Sequence, residues 1–191
     1  MSYKRICFIY TETTGLHQTH TQVSKKELFQ YARLVVLNYM IGYVKDKEFV
    51  IEQDVRTIIK PRCIVIPKET EQYHGISQEK ATLEGTDIEI VLNQFKKDIM
   101  KTDVIVSHNI DFHLRTIISE AVRYNIVLEF GNYIIVDTIS FYHNTDSKVF
   151  IKLKDLAVKL KLKNVSDITI ELIRDCFLKL YSKYKKSLQT A

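Results

Sequence analysis

Phe8-Ile9-Tyr10-Thr11-Glu12-Thr13-Thr14-Gly15-Leu16 runs from an apolar segment into a polar, glycine-containing turn, with one carboxylate, Glu12, at the junction. From Arg5 to Glu12 the pattern alternates well enough for a strand. Ile6, Phe8, Tyr10 and Glu12 then share one face, and Cys7, Ile9 and Thr11 share the other. A polar loop follows over residues 15–27 and carries His17 and His20. Tyr31 to Ile41 and Glu48 to Ile59 are β-rich runs on either side of Val44-Lys45-Asp46-Lys47, which predicts an antiparallel hairpin. Pro61 and Pro67 break the next stretch into an irregular crossing.

Beyond His74-Gly75-Ile76-Ser77 the period changes. Thr86 to Met100 sets Ile88, Val91, Leu92, Phe95 and Ile99 on one helical face. Asp103 to Ser107 reads as a short apolar strand, Phe112 to Tyr124 as a helix, and Tyr133 to Val136 as another strand ending at Asp137-Thr138. Lys152 to Leu160 and Asp167 to Tyr184 read as helices, the second with Ile168, Leu172, Cys176 and Leu180 at i, i+4 spacing. Three hairpin-connected strands, then helix–strand–helix–strand–helices, predict an α/β fold with a mixed five-stranded sheet flanked by helices.

No repeat, low-complexity tract or Pro/Gly-rich linker divides the chain, so residues 1–191 read as a single domain. Its hydrophobic content of 46% and charged content of 27% are those of a soluble globular protein. The 28 basic residues exceed the 23 acidic ones by five, which permits nucleic acid as a partner without demanding it. Lys179, Lys183, Lys185 and Lys186 give a basic helix end around residues 179–191, read as a solvated face. Cys7, Cys63 and Cys176 show no metal-ligand spacing and read as free thiols of a reducing compartment. The N-terminus has no signal-peptide core, and Ala32 to Val44 is too short, and too interrupted by Arg33 and Asn38, to span a bilayer. The expectation is an intracellular protein, cytoplasmic or nuclear, with no membrane partner.

These segments resemble, in order, the DEDDh 3′–5′ exonucleases of ribonuclease H-like fold. Tyr10-Thr11-Glu12-Thr13-Thr14-Gly15-Leu16 resembles the first motif, Asp-x-Glu-Thr-Thr-Gly-Leu. Lys60-Pro61, Ile66-Pro67 and His74-Gly75-Ile76-Ser77 resemble the segment that ends in His-Gly-Ile-Thr. Ser107-His108-Asn109-Ile110-Asp111-Phe112-His113 is similar to the second motif, Ala-His-Asn-x-x-Phe-Asp. Val136-Asp137-Thr138 and Leu153-Lys154-Asp155-Leu156-Ala157 match the later landmarks. Ile170-Glu171-Leu172-Ile173-Arg174-Asp175-Cys176 aligns with the third motif, His-x-Ala-x-x-Asp-Ala.

The resemblance implies phosphodiester hydrolysis by two divalent cations about 4 Å apart, held by four carboxylates, with a histidine as general base. Position by position, Glu12 matches the family glutamate and Asp175 the final aspartate. Tyr10 and His113 stand where aspartates should be, and Ile170 where the histidine should be. Two carboxylates do not balance two divalent ions. A tyrosine, with a pKa of about 10, is neutral at pH 7, and a histidine nitrogen suits softer metals than Mg²⁺. Ile170 accepts no proton, and loss of the base alone removes about 10²–10⁴ in rate. Asp111 points roughly 200° around the helix from His113 and does not replace it. Asp137 reads as a turn cap. A transition-metal site of His17, His20 and His113 is weaker than the reading of solvated loop histidines.

The expectation is therefore an exonuclease-like protein without catalysis that acts as a nucleic-acid- or nucleotide-binding module or subunit, on DNA or RNA. Thr13, Thr14, Gly15, Leu16, Asn109 and Phe112 are its candidate nucleic-acid contacts, and no cofactor is expected. Glu12 and Asp175 are the retained catalytic acids and the carboxylates that a metal would use. Two other readings stand beside it. One is an active 3′–5′ exonuclease with a rearranged Mg²⁺ or Mn²⁺ site, and the other is a protein-binding scaffold with a vestigial cleft.

Overall fold

A computed structural model describes residues 3–143, 149–163, 165 and 167–190, with residues 182–190 described by their backbone alone. The strands are β1 (Arg5–Thr13), β2 (Leu34–Lys45), β3 (Glu48–Ile58), β4 (Val104–Ser107) and β5 (Ile134–Asp137). They form one sheet in the order β3-β2-β1-β4-β5. β1, β2 and β3 are antiparallel, and β4 and β5 continue parallel to β1. The mixed five-stranded sheet expected from the segment order is thus present. Asp46 and Lys47 join β2 to β3, both at positive φ (49° and 70°), as a two-residue hairpin turn requires.

The alternation along β1 sorts the core. Cys7 and Ile9 face a layer made by α3 (Ile88–Ile99) and α4 (Ile110–Arg123), where Leu92, Phe95, Ile117 and Ala121 are buried. Ile6 and Phe8 face α5 (Thr138–His143), α6 (Leu153–Lys159) and α7 (Ile170–Thr190), packed on Leu156, Ile173, Cys176 and Phe177. Leu172, Cys176 and Leu180 keep their expected i, i+4 seam, but α7 starts only at Ile170, so Ile168 belongs to the approach and not to the helix.

Two short helices, α1 (Lys68–His74) and α2 (Gln78–Glu84), occupy the crossing that the two prolines led us to expect as irregular. Capping sets their limits. Gly75 ends α1 at φ 70°, and the Ser77 side chain accepts the Lys80 N–H at the start of α2. With Ile66, Ile76 and Ala81 buried against Val35 and Val36, this pair closes the β2 end of the molecule.

One feature of the sheet makes the site. β1 pairs with β4 only from Ile6 to Phe8, and the Ser107 hydroxyl then binds the Ile9 carbonyl at 2.7 Å. β1 runs on to Thr13 while still paired with β2. Its last residues therefore project past the end of β4, where the sheet changes from antiparallel to parallel, a place where open α/β sheets leave a crevice.

Candidate functional site

The projecting end of β1 carries Tyr10 and Glu12 on the α7 side and Thr11 on the α4 side. Tyr10 and Glu12 share this face two residues apart, and each shifts the ionisation of the other. Burial raises the Tyr10 phenol well above its ordinary range, and the Glu12 charge adds to the effect. Burial also raises Glu12, opposed by the neighbouring Tyr10 phenol and the charge of Arg56.

His113 fills the gap that β4 leaves. Its Nδ1 accepts the Thr11 N–H at 3.1 Å and lies 2.8 Å from the Thr11 hydroxyl, so the ring proton sits on Nε2. Burial lowers its pKa to about 3, and the buried imidazole is neutral with Nδ1 engaged by Thr11. It stands in for a missing strand partner and is not a free metal ligand.

The surrounding histidines are structural as well. His108 is fixed between the Thr138 hydroxyl (2.7 Å) and the Ile151 carbonyl (2.8 Å). His17 is not the solvated loop residue we expected. Its Nδ1 accepts the Ala32 N–H at 3.1 Å, its Nε2 lies 3.2 Å from the Phe112 carbonyl, and its ring stacks on Phe112 with centroids 4.5 Å apart. His20 is exposed. Asp137 caps Ile139 as expected, and it also takes the Asn109 and Ile110 N–H groups at 3.0 Å, so it holds the start of α4, with Asn109 in a left-handed conformation. Asp111 pairs with Arg115 at 2.6 Å, away from the cleft.

The third-motif candidates lie outside the cleft lining. Ile170 is fully buried under α7, and Asp175 is 44% exposed and paired with Arg174 at 2.8 Å. Neither lines the cleft beside Glu12. Ile168 and Ile173 do. They have the same five-residue spacing as the family's histidine and aspartate, two positions earlier than the sequence alignment placed them. The structure therefore brings Tyr10, Glu12, His113, Ile168 and Ile173 together and leaves Asp175 out. No residue type marked this register, because Ile168, Ile170 and Ile173 are alike and Asp175 offered the nearest acid.

The resulting cleft, about 420 Å³, is mostly apolar, with Phe112, Phe150, Ile168 and Ile173 in its walls and Lys152 and Lys154 at its edge. Thr13, Leu16, Asn109 and Phe112 line it as expected, and Leu16 is 83% exposed at the rim. Thr14 and Gly15 act one step back. Thr14 exchanges bonds of 3.0 Å with the Arg33 backbone through its N–H and hydroxyl, and the Gly15 carbonyl takes the Thr13 hydroxyl at 2.6 Å. Gly15 has φ 147°, a conformation open chiefly to glycine. Phe150, the two lysines and Arg56 had no sequence signal beyond composition.

The donor set does not fit a divalent-metal pair. Among the described residues that line this cleft Glu12 is the one carboxylate, and the His113 Nδ1 is taken by Thr11. Among the described residues, no group of three or more His, Cys, Asp or Glu is placed to hold a metal ion.

Residues 8–167 match the RNase_T exonuclease family. Among solved structures, exonuclease I from Methylocaldum szegediense is 12% identical and superposes with a TM-score of 0.69, over 96% of this chain and 41% of that one. E. coli exonuclease I in complex with a 5cy-dT13 oligonucleotide is 10% identical, with a TM-score of 0.70, over 97% and 42%. Exonuclease X in complex with 5′ overhanging duplex DNA is 15% identical, with a TM-score of 0.59, over 93% and 92%. The chain thus spans about two fifths of exonuclease I and nearly all of exonuclease X. At these identities the likeness shows the fold, the α/β ribonuclease H-like exonuclease fold. No curated protein matches the sequence.

Proposed function

The chain belongs to the RNase_T exonuclease family, and we propose that within it this protein binds nucleic acid without metal and does not cut it. The observation that carries this reading is the floor of the cleft. Of the five positions that hold metal and base in the DEDDh pattern, only Glu12 keeps its chemistry, and the phenol of Tyr10 stands beside it. Hydrolysis of a phosphodiester by this family's route needs divalent ions whose charge the ligands balance, and one carboxylate does not supply that.

What remains suits binding. Neutral Tyr10 and His113 remove two negative charges that would repel phosphate, Lys152 and Lys154 add positive charge at the edge, and Phe112 and Phe150 offer faces for bases. We take residues 1–191 as one such module with a basic, solvated helix end around 179–191; the side chains of Lys183, Lys185 and Lys186 lie outside the described residues. An exposed free thiol, Cys63, favours a place inside the cell. Among the described residues no helix is long and apolar enough to cross a membrane.

Labelled single-stranded DNA and RNA, incubated with Mg²⁺ or Mn²⁺, should stay intact. Degradation that Glu12→Gln abolishes would sink the proposal and install the rearranged-metal enzyme in its place. Binding to the same oligonucleotides in EDTA should be measurable and weaken with salt. No binding at any ionic strength would favour the protein scaffold instead.

A further inference from the structure

Leu16 lines two hollows, the cleft and a second one of about 360 Å³ that opens against the 3-10 turn Lys25–Gln30. The wall of the second hollow rests on Glu120 of α4, a buried carboxylate. Arg33 meets it with two prongs, Nε to Oε1 at 2.7 Å and Nη2 to Oε2 at 3.2 Å, and the Leu34 N–H also donates to Oε1 at 3.1 Å. Arg123 reaches the same oxygen only at 3.4 Å. Its other partners are neutral, namely the Ser119 hydroxyl at 3.0 Å and the carbonyls of Leu28 and Tyr31.

Two guanidinium charges thus share one carboxylate, which Arg33 occupies. The excess positive charge sits on Arg123, whose side chain is only 13% exposed and which lines the hollow together with Arg33. Among the described residues of that lining none is acidic. Glu27, the acid on the 3-10 turn, is engaged by the Thr21 and Ser24 hydroxyls at 3.0 and 3.3 Å. A cation largely withdrawn from water without its own counter-charge is costly, and an anion entering the hollow would relieve that cost. Gln18 and Gln30 add amides to the lining, and Phe29, 78% exposed, presents an aromatic face at the rim. Positive charge beside an exposed aromatic ring is how proteins follow a single-stranded backbone.

Resting on the reading of the cleft as a nucleic-acid site, we propose that this hollow is a phosphate seat, which takes a phosphodiester of the bound strand where it crosses Leu16 out of the cleft. Arg123 supplies the charge that the phosphate neutralises, and Arg33 keeps Glu120 satisfied.

The test is the affinity of the full chain for a labelled pentathymidylate in EDTA over a range of salt, with thymidine 5′-monophosphate measured in parallel. Removing either arginine would disturb the Glu120 cluster, so the charge is changed at Gln18, which is exposed. Gln18→Glu should weaken pentathymidylate about fivefold at low salt and reduce the salt slope by about 0.7, the share of one phosphate on a single strand. Gln18→Lys should strengthen binding by a similar factor and steepen the slope. Gln22→Glu makes the same charge change in the same loop, outside the lining, and should alter affinity by less than about twofold. Thymidine monophosphate, held by the cleft alone, should be unaffected by either Gln18 change. Wild-type affinity in both Gln18 variants, or equal weakening by Gln22→Glu, would overturn the phosphate seat and leave the cleft reading standing. Equal weakening of the mononucleotide by Gln18→Glu would also overturn it, because the hollow would then hold a free phosphate monoester and not a continuing strand. Failure of the wild-type chain to bind pentathymidylate at any salt would remove the cleft reading and this one together.

Discussion

Beyond Phe8 the two faces of strand β1 have opposite characters. On the α4 face, Thr11 is bonded to His113, Thr13 to the Gly15 carbonyl, and the turn that follows to the Arg33 backbone. Arg33 is held in turn by Glu120, a buried carboxylate that also takes the Leu34 N–H at 3.1 Å and pairs with Arg123. Every polar group there completes a backbone bond or a buried pair. On the α7 face, one residue away in each direction, Tyr10 and Glu12 lie side by side and line the cleft with Ile168 and Ile173. The difference shows why motif and chemistry part company in this chain. Thr13, Thr14 and Gly15 hold the end of the strand in place whether or not anything is catalysed. Tyr10, His113, Ile168 and Ile173 stand where metal and base would have to be.

Rebuilding the positions of metal and base breaks the comparison most sharply. A chain carrying Tyr10→Asp, His113→Asp, Ile168→His and Ile173→Asp keeps Glu12 and gains the full ligand set. Without metal it should lose about 3–5 kcal/mol of stability, because carboxylates are then buried without partners. Mn²⁺ at a hundred times its Kd should return about 2.7 kcal/mol, read as a rise in unfolding midpoint and as bound Mn²⁺ by calorimetry or paramagnetic resonance. The control, Tyr10→Asp, His113→Asp and Ile170→His with Asp175 left in place, should bind no Mn²⁺. If the control binds and the rebuilt chain does not, the third motif lies at Ile170 and Asp175 after all.

The α4 face is tested by pH. The folded His113 ring stays neutral down to about 3, while in the unfolded chain it protonates near 6.5. Between those values the unfolded state binds a proton that the folded state refuses. Stability therefore falls as pH falls through this window, by up to about 1.4 kcal/mol per pH unit. Burial lowers His17, His74 and His108 in the same direction, so the difference between wild type and His113→Asn is the quantity to follow. At pH 7 His113→Asn should cost about 1–3 kcal/mol, for a strained or missing bond to the Thr11 N–H. The two denaturation curves should converge from pH 6.5 down to 4. A gap that stays constant would mean that the ring is not buried in its neutral form.

How much of this was legible in the sequence follows the same division. Strand β1 and helix α3 were, because Ile6 and Phe8 against Cys7 and Ile9, or Ile88 to Ile99, repeat a period long enough to read. Helices α1, α2 and α5 were not, since six or seven residues hold less than two turns, and their limits rest on Gly75 and Ser77 and not on an apolar stripe. The losses at Tyr10 and His113 were visible because flanking residues fix their positions. The bonds that His113 makes were invisible, since they depend on β4 ending at Ser107 while β1 continues. In the third motif no flanking residue fixed the register, and only the burial of Ile170 against the cleft exposure of Ile168 decides it.

Asp175 gives the smallest expected effect and the most direct check on that register. Its carboxylate is half exposed and pairs with the neighbouring Arg174, a contact of the kind that adds little to stability. Asp175→Asn should shift unfolding by no more than about 0.5 kcal/mol and leave pentathymidylate affinity unchanged. Ile173→Ala, by contrast, removes a buried wall of the cleft and should lower both stability and affinity. The pair of variants separates two helix registers that differ by two residues, about 200° around α7. A tenfold loss of affinity in Asp175→Asn would turn that face of the helix toward the nucleic acid and return an acid to the floor that the isoleucines now occupy.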